Sequence, residues 1–122
     1  MAKDRKVNIL GTEYTITFEN PNDREEYIKN SWSGFCSSTE PIIKIVDLTK
    51  HPEWKEESKE AIEAITKETL RHEIIHAFFN ESGLKDSANV FEGAWSKNEE
   101  MIDWIAIQGV KIVNAWKEAG CL

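Results

Sequence analysis

Two histidines and a glutamate lie close together in the second half of the chain, in the segment His72-Glu73-Ile74-Ile75-His76. On a helix, residues four apart lie on the same face one turn apart, so both imidazoles can bind one zinc ion. Glu73 is turned about 100° around the helix from His72, and from there its carboxylate can reach a water molecule beside the metal. The spacing therefore predicts a zinc site with an adjacent general base.

A catalytic zinc ion takes three protein ligands and leaves its fourth position to water, so a further ligand must come from elsewhere in the chain. No histidine follows His76, and an acid is the natural candidate. Glu99 and Glu100 both stand near the start of a second predicted helix. We favour Glu99 because only it has an acid four residues further on, Asp103, which can bind the free ring nitrogen of a metal-binding histidine.

The two motifs, His-Glu-x-x-His and a downstream Glu-x-x-x-Asp, together resemble the gluzincin zinc metallopeptidases. They look most like the small bacterial and phage members related to the ImmA/IrrE group. In that group the downstream helix carries a Glu, then a small or acidic residue, then an aromatic/aliphatic-Ala pair, as residues 99–106 do here. The resemblance covers residues 72–106, and it departs from the usual pattern at Ile75 and Ile102, where small residues are common.

The resemblance implies that His72, His76 and Glu99 bind Zn²⁺. It also implies that Glu73 is the catalytic base and that Asp103 orients a ligand histidine. The implied fold is a zincin-like minimal metallopeptidase, in which the active-site helix packs beneath a small antiparallel sheet whose edge strand aligns an extended peptide. The implied reaction is hydrolysis of a peptide bond in an unknown intracellular protein or peptide, with a zinc-activated water as nucleophile.

Two other functions remain open. The chain could be a zinc-stabilised binding or regulatory protein, for instance one encoded by a phage, with little or no turnover. It could also be an interaction domain without metal, in which His72 and His76 are ordinary core residues. A peptidase needs zinc and a Glu73-dependent cleavage. A binding protein needs only the zinc.

No side chain is an evident stabiliser of the oxyanion that peptide hydrolysis would form. Tyr14, Tyr27 and His51 are the three candidates, and the residues do not decide among them. We expect His51 at the surface, since it precedes Pro52 in a polar segment. We expect Cys36 to be a small core residue, and Trp95 and Trp104 to be core residues that could also line a substrate cleft.

The elements around the motifs predict one α+β domain over residues 1–122, with a small antiparallel sheet packed on two long helices. Alternating apolar residues indicate strands, and longer stretches free of Gly and Pro indicate helices. The predicted segments are a hairpin at 7–18, a short polar helix at 23–30, short strands at 35–38 and 42–46, and long helices at 57–81 and 97–118.

Local signals predict where the two long helices end and which faces they bury. Gly83 is a plausible end for the first helix, and residues 84–97 then form a loop. Ser96 is a candidate N-cap for the second helix, with Glu99 as its capping-box partner. The apolar stripe of that helix is predicted to contain Met101, Ile105, Ile112 and Trp116.

The two cysteines and the N-terminal sequence favour a cytoplasmic protein, and the peptide or protein substrate is what the resemblance implies. The formal net charge is −7, from 22 acidic against 15 basic residues, so nucleic acid is an unexpected partner. Cys36 and Cys121 are expected to be free thiols, because two cysteines are too few for a disulfide scaffold. We expect neither a signal peptide nor a membrane-spanning segment. The oligomeric state cannot be read from the sequence.

Overall fold

Alternating apolar residues at the start of the chain form a β-hairpin in the computed structural model, which describes residues 4–86 and 94–120. Strand β1 (Arg5–Ile9) pairs antiparallel with strand β2 (Thr12–Glu19). The two-residue turn between them, Leu10-Gly11, has positive φ at both positions, 51° and 94°. This is the backbone that a type I′ turn requires, and it confirms the predicted hairpin with slightly longer strands.

The sheet is mixed rather than antiparallel, and that part of the prediction is wrong. After the short helix α1 (Glu25–Lys29), strands β3 (Gly34–Cys36) and β4 (Ile42–Val46) complete a four-stranded sheet in the order β1-β2-β4-β3. Strand β4 runs parallel to β2 and antiparallel to β3. Strand β3 is placed at the far edge of the sheet, and the chain then returns so that β4 lies between β2 and β3. Alternation marks a strand but does not give its direction.

One face of the sheet packs against helix α2 (Lys59–Glu81), and this contact forms the main core. Ser58 caps the start of α2 by accepting a hydrogen bond from the Ala61 backbone N–H. Beyond its end, Gly83 adopts φ 78°, as the predicted stop requires. The fully buried members of the core are Ile9, Tyr14, Ile16, Ile43, Ile45 and Ala77.

Helix α3 (Glu99–Ala119) packs against α2, which confirms the pair of long helices. Its N-cap is Asn98 rather than the predicted Ser96: Asn98 Oδ1 accepts from the Met101 backbone N–H at 2.9 Å. Asn98 is the better-placed capping residue because it directly precedes the first helical residue. Ser96 is instead buried in a short 3₁₀ turn. Glu99 is therefore free of any capping-box role.

The buried stripe of α3 is centred one residue away from the predicted one. Ile102 and Ala106 are buried, whereas Trp116 is 49% exposed. The predicted stripe contains the largest apolar residues of α3. The buried face is instead the one on which the two helices approach each other most closely. Of the predicted 84–97 loop, Leu84–Asp86 and Trp95–Lys97 are 3₁₀ turns, and residues 87–93 lie outside the described part of the chain. None of the described helices has the length and apolarity needed to span a membrane.

Gly34 lies at the closest approach between strand β3 and its neighbours. A Cβ atom there would lie 2.7 Å from the Lys44 carbonyl oxygen and 3.0 Å from Thr69 Cγ2. Because a backbone oxygen cannot move away cheaply, we expect Gly34→Ala to lower the free energy of unfolding by about 1–3 kcal/mol, measured by urea denaturation. Gly109→Ala is the matched control: nothing lies within 4 Å of its Cβ position, and alanine favours the helix by up to about 1 kcal/mol. Equal stability of the two variants would contradict the prediction.

Candidate metal centre

The two histidines of the motif face one another on helix α2. His72 and His76 lie one turn apart, and their Nε2 atoms are 3.2 Å from each other. Their ring centroids are 4.9 Å apart. Together with Glu73 they form a group whose ligand atoms all lie within 4.8 Å of one another. The helical spacing thus places the two imidazole nitrogens at a common point.

Glu99, the first residue of α3, brings a carboxylate to the same point. Its Oε2 lies 3.1 Å from His72 Nε2 and its Oε1 lies 3.2 Å from His76 Nε2. The cap at Asn98 fixes this first turn of the helix and leaves the Glu99 side chain free to face the histidines. The rival candidate, Glu100, makes no such contact among the described residues.

Asp103 holds the other side of the His72 ring. Its Oδ1 lies 2.6 Å from His72 Nδ1, a short distance typical of a charge-assisted hydrogen bond. Since a carboxylate can only accept, His72 Nδ1 carries the proton and donates it to Asp103. In the neutral ring Nε2 is then unprotonated, and its lone pair faces His76 and Glu99. This is the tautomer that a metal-binding histidine needs.

The donor set fits a tetrahedral zinc ion. Two ligands at the usual zinc distance of about 2.0–2.1 Å and a tetrahedral angle lie roughly 3.3 Å apart. The two Nε2 atoms are 3.2 Å apart, and the two oxygens of the Glu99 carboxylate lie 3.1 Å from His72 Nε2 and 3.2 Å from His76 Nε2. Lone pairs at such spacing repel one another unless a proton or a metal cation lies between them, and a zinc ion fits the same spacing. The nitrogen and carboxylate ligands are also those that zinc prefers.

Burial keeps His76 in the form that binds metal. Burial lowers the pKa of His76 below its ordinary value, against the opposing attraction of Glu99, and the neighbouring His72 lowers it further. A lower pKa means that the imidazole is neutral near pH 7, and only the neutral ring can donate a lone pair to a cation.

Glu73 is a buried carboxylate beside the site, only 4% exposed. Its Oε1 lies 4.0 Å from His72 Nε2, so it faces the ligand atoms without occupying the place of a third ligand. Burial raises the pKa of Glu73 to about 7, His72 partly offsets this, and the charges of Glu99 and Asp103 add to it. A carboxylate with such a pKa accepts a proton more readily than an exposed glutamate, as a general base must.

A cleft of about 710 Å³ opens at this group. One wall is a stripe of helix α2, and the other is strand β3 with the residues on either side of it. The α2 stripe consists of Ile65, Glu68, Thr69, His72, Glu73, His76 and Asn80. The β3 wall consists of Ser31, Trp32, Ser33, Gly34, Phe35, Cys36 and Ser38, and Lys97, Glu99 and Asp103 complete the lining.

Strand β3 presents to this cleft backbone groups that pair with no other residue in the described part of the chain. Ser33 O accepts from Val46 N at 2.9 Å and Ser37 N donates to Ile42 O at 3.0 Å, so every second residue pairs with β4. By that alternation, the N–H and C=O groups of Gly34 and Cys36 point away from β4. Both residues line the cleft, which gives it an open strand edge.

The three candidates for an oxyanion-stabilising side chain lie elsewhere. Tyr14 donates its hydroxyl hydrogen to Glu81 at 2.7 Å, and Tyr27 donates to Glu19 at 2.6 Å. The surface position predicted for His51 is wrong, because it is 1% exposed. It accepts from the Glu53 backbone N–H through Nδ1 and donates through Nε2 to the Tyr27 carbonyl. His51 therefore links a loop to α1. Its polar neighbours in sequence gave no indication that it is buried.

The tryptophans near the motif do not line the cleft. Trp95 and Trp104 are 53% and 59% exposed, so the expectation that they are core residues is also wrong. Trp32, which no sequence pattern had singled out, lines the cleft instead. Cys36 is a partly buried free thiol at the cleft, and burial, aided by the charge of Glu73, raises its pKa to about 12. Cys121 lies outside the described residues.

Ile75 and Ile102 are large where the metallopeptidases that the motifs resemble commonly have small residues, and neither side chain closes the cleft. Ile102 is fully buried. Ile75 lines a separate apolar groove between α2 and α3, where Ile105 and Val110 also lie. Neither Ile75 nor Ile102 lines the cleft at the histidines.

Sequence reasoning missed Glu68, Asn80 and Lys97 as cleft residues. Glu68 and Asn80 follow the helical spacing of the motif, at positions i−4 and i+8 from His72, so the helix pattern alone could have found them. Lys97 and Trp32 had no such signal.

Comparisons with protein-family models, with curated proteins and with solved structures give no match to this chain.

The donor set predicts which residues zinc affinity depends on. We expect about one zinc per chain, measured by mass spectrometry on protein purified without chelator or metal resin. Glu99→Ala should lose the zinc, whereas Glu100→Ala, the matched control on the same helical turn, should keep it. Asp103→Asn should weaken binding by about 10- to 100-fold, because it no longer fixes the His72 ring as a carboxylate does. Protein that takes up no zinc when zinc is supplied would contradict the site.

The raised pKa of Glu73 predicts a pH dependence of the metal-free protein. The pKa of Glu73 is raised to about 7 in the folded protein, whereas in an unfolded chain it has its ordinary value of 4.5. The free energy of unfolding should therefore fall as pH rises between these values and stay low above them. Glu73→Gln should remove this loss, which is worth up to about 3 kcal/mol at 1.36 kcal/mol per pKa unit.

The measurement is urea denaturation between pH 4 and 8 with chelator present. Glu56→Gln, which changes an exposed glutamate, is the control and should behave as the wild type. Parallel stability curves for wild type and Glu73→Gln across this range would show that burial does not raise the pKa of Glu73.

Proposed function

We propose that this chain is a zinc-dependent peptidase, a hydrolase of zincin-like type that acts on an intracellular protein or peptide. The observation that carries the proposal is the convergence of His72, His76 and Glu99 within 3.2 Å, with Asp103 behind one histidine. The buried carboxylate of Glu73 lies beside them. A purely structural metal site has no use for such a base, whereas hydrolysis requires one. The likeness of the two motifs to gluzincins of the ImmA/IrrE type supports the same function.

His72, His76 and Glu99 would hold the zinc ion. Bound there, it would supply a Lewis acid that acidifies water and polarises a carbonyl group. Asp103 keeps the His72 ring oriented through the 2.6 Å hydrogen bond to Nδ1, so that Nε2 is the ring nitrogen that faces the site. The side chains of both histidines are about four-fifths buried, so little solvent competes for their lone pairs.

Glu73 would move the proton that hydrolysis requires. Hydrolysis forms a bond between the water oxygen and the carbonyl carbon, breaks the bond from that carbon to nitrogen, and transfers a proton to the departing nitrogen. The Glu73 carboxylate accepts a proton from the attacking water and delivers it to that nitrogen. Burial makes this carboxylate a stronger base in the metal-free protein than an exposed glutamate, because burial raises its pKa.

The open edge of strand β3 would hold an extended peptide across the cleft. The backbone groups of Gly34 and Cys36 that point away from β4 can pair with a substrate strand, as edge strands do in other peptide complexes. A peptide bound there lies along helix α2, next to His72 and His76. The cleft volume of about 710 Å³ accommodates several residues.

The proposal predicts that cleavage depends on Glu73 and zinc binding does not. With a mixture of random peptides as substrate, products counted by mass spectrometry should fall by about 100-fold or more in Glu73→Gln. The zinc content of that variant should equal that of the wild type, because Glu73 is not a ligand. Glu56→Gln is the control and should cleave as the wild type does.

Another outcome would favour the binding or regulatory function. In that case the chain would hold zinc, neither wild type nor Glu73→Gln would cleave any peptide, and removal of zinc would unfold the protein. Cleavage that survives Glu73→Gln unchanged would refute the proposed role of this carboxylate.

A further inference from the structure

The two ends of the cleft differ in chemistry, and contacts between its walls define which end is which. Thr69 Oγ1 donates to Ser33 Oγ at 3.0 Å, and Asn80 Nδ2 donates to Ser37 O at 3.4 Å. Strand β3 therefore runs in the same direction as α2. Residues that precede Ser33 lie toward the N-terminal half of α2, and residues that follow Ser37 lie toward its C-terminal half.

The first end of the cleft combines an aromatic side chain with an acid. Trp32, Ile65 and Glu68 line it. The opposite end is lined by Ser38, Asn80 and Lys97, with the histidines between the two ends. The cleft thus has an acidic, aromatic end and a basic, polar end.

The backbone that carries Trp32 is held in an uncommon conformation. Ser31 has a φ of 54°, in the left-handed region that residues other than glycine rarely adopt. Its hydroxyl donates to the Glu53 carboxylate at 3.1 Å, which holds the turn. Trp32 lies on the wall of the cleft and is 41% exposed, so part of its ring is accessible to a ligand.

The Phe35 ring, which lies beside Trp32, contacts a cationic side chain of the same chain. The Arg24 guanidinium lies 4.6 Å from the centre of the Phe35 ring. The Trp32 and Phe35 rings are 6.3 Å apart, so the two aromatic residues form one cluster. Trp32 provides the exposed part of this cluster, and tryptophan is the aromatic residue that attracts cations most strongly.

Glu68 is a partly buried acid without an ion-pair partner among the described residues. Its sequence neighbour Lys67 pairs with Glu63 at 3.0 Å instead. The other acids of the cleft are Glu73, Glu99 and Asp103, and each has a carboxylate oxygen within 4.0 Å of a His72 ring nitrogen. Glu68 is thus the cleft carboxylate left for a cation brought by a ligand.

We propose that Trp32 and Glu68 form a subsite for a lysine or arginine side chain of the peptide, an inference that rests on the proposed peptidase function. The aliphatic stem of that side chain lies along Ile65, and its charged end lies between the indole and the carboxylate. Lys97 at the far end repels a basic side chain and favours an acid there. The cleft therefore selects peptides with a basic residue on one side of the histidines.

The test measures binding, so that it does not depend on turnover. Zinc-loaded Glu73→Gln protein is used to select from a random peptide library, and the selected peptides are sequenced. We expect lysine and arginine to be enriched about tenfold at one position, as about 1.4 kcal/mol of selectivity gives. Adding Glu68→Gln should reduce the enrichment to about twofold or less. Adding Glu68→Lys should enrich aspartate and glutamate at the same position.

Matched controls separate the subsite from general charge. Glu60→Gln makes the same change on an exposed part of α2 outside the cleft and should leave the enrichment intact. Trp32→Leu keeps an apolar wall but removes the ring face, and should lower the enrichment about threefold. Selected peptides without basic enrichment, or enrichment that survives Glu68→Gln, would overturn the subsite.

Wild-type protein with the same library distinguishes this failure from failure of the proposed function. Cleavage without any basic preference would refute the subsite and leave the peptidase intact. Basic peptides that are bound but not cleaved by zinc-loaded wild type would support the subsite and refute the peptidase.

Discussion

Helix α3 contacts the domain chiefly through α2, and the candidate metal centre depends on this contact. Ile102 and Ala106 are buried between the helices, and Arg71 Nε donates to the Ala106 carbonyl at 3.0 Å. This packing sets the rotation of α3 and so brings Glu99 and Asp103 to opposite sides of one imidazole. A rotation of one residue, about 100°, would place Glu100 there instead and remove Asp103 from reach. Hydrophobic packing on one side of the helix thus determines which acids face the histidines on the other side.

The same helix α2 that carries the histidines also supports the sheet, so its position links the metal centre to the strand edge. Ala77 packs into the core beneath β1, β2 and β4. At the end of α2, Glu81 accepts hydrogen bonds from Thr12 and Tyr14 of strand β2. Close approach of Gly34 to Thr69 sets the distance between α2 and β3. The cleft is the space that remains where these two walls separate.

How far the sequence predicted the site depends on how local each signal is. His72, Glu73 and His76 lie within one turn of a helix, so their mutual placement follows from helical geometry alone. Glu99 could be chosen over Glu100 only through its spacing from Asp103, and the contacts in the structure agree with that choice. The sequence predicts Ser96 as the N-cap of α3, whereas the structure places Asn98 there. Both residue types are good caps, so residue type alone does not locate the start of the helix.

Features that depend on how distant segments meet in space could not be predicted from local sequence patterns. The α+β character was predicted, but the parallel pairing of β2 with β4 is set by how the intervening segment crosses the sheet. His51 stands among polar residues in sequence, yet two backbone partners bury it. Trp32 lines the cleft because β3 is an edge strand, a property of strand order that alternation does not reveal.

The four side chains of the proposed centre differ sharply in their access to solvent. His72 and His76 have side chains 20% and 18% exposed, whereas those of Glu99 and Asp103 are 66% and 58% exposed. The main core is built from the sheet and α2, without any residue of α3. An ion would therefore enter and leave past Glu99, while the core stays intact. Under the proposed function, the core would form without the metal, and the zinc occupancy would then follow the free zinc concentration of the surroundings.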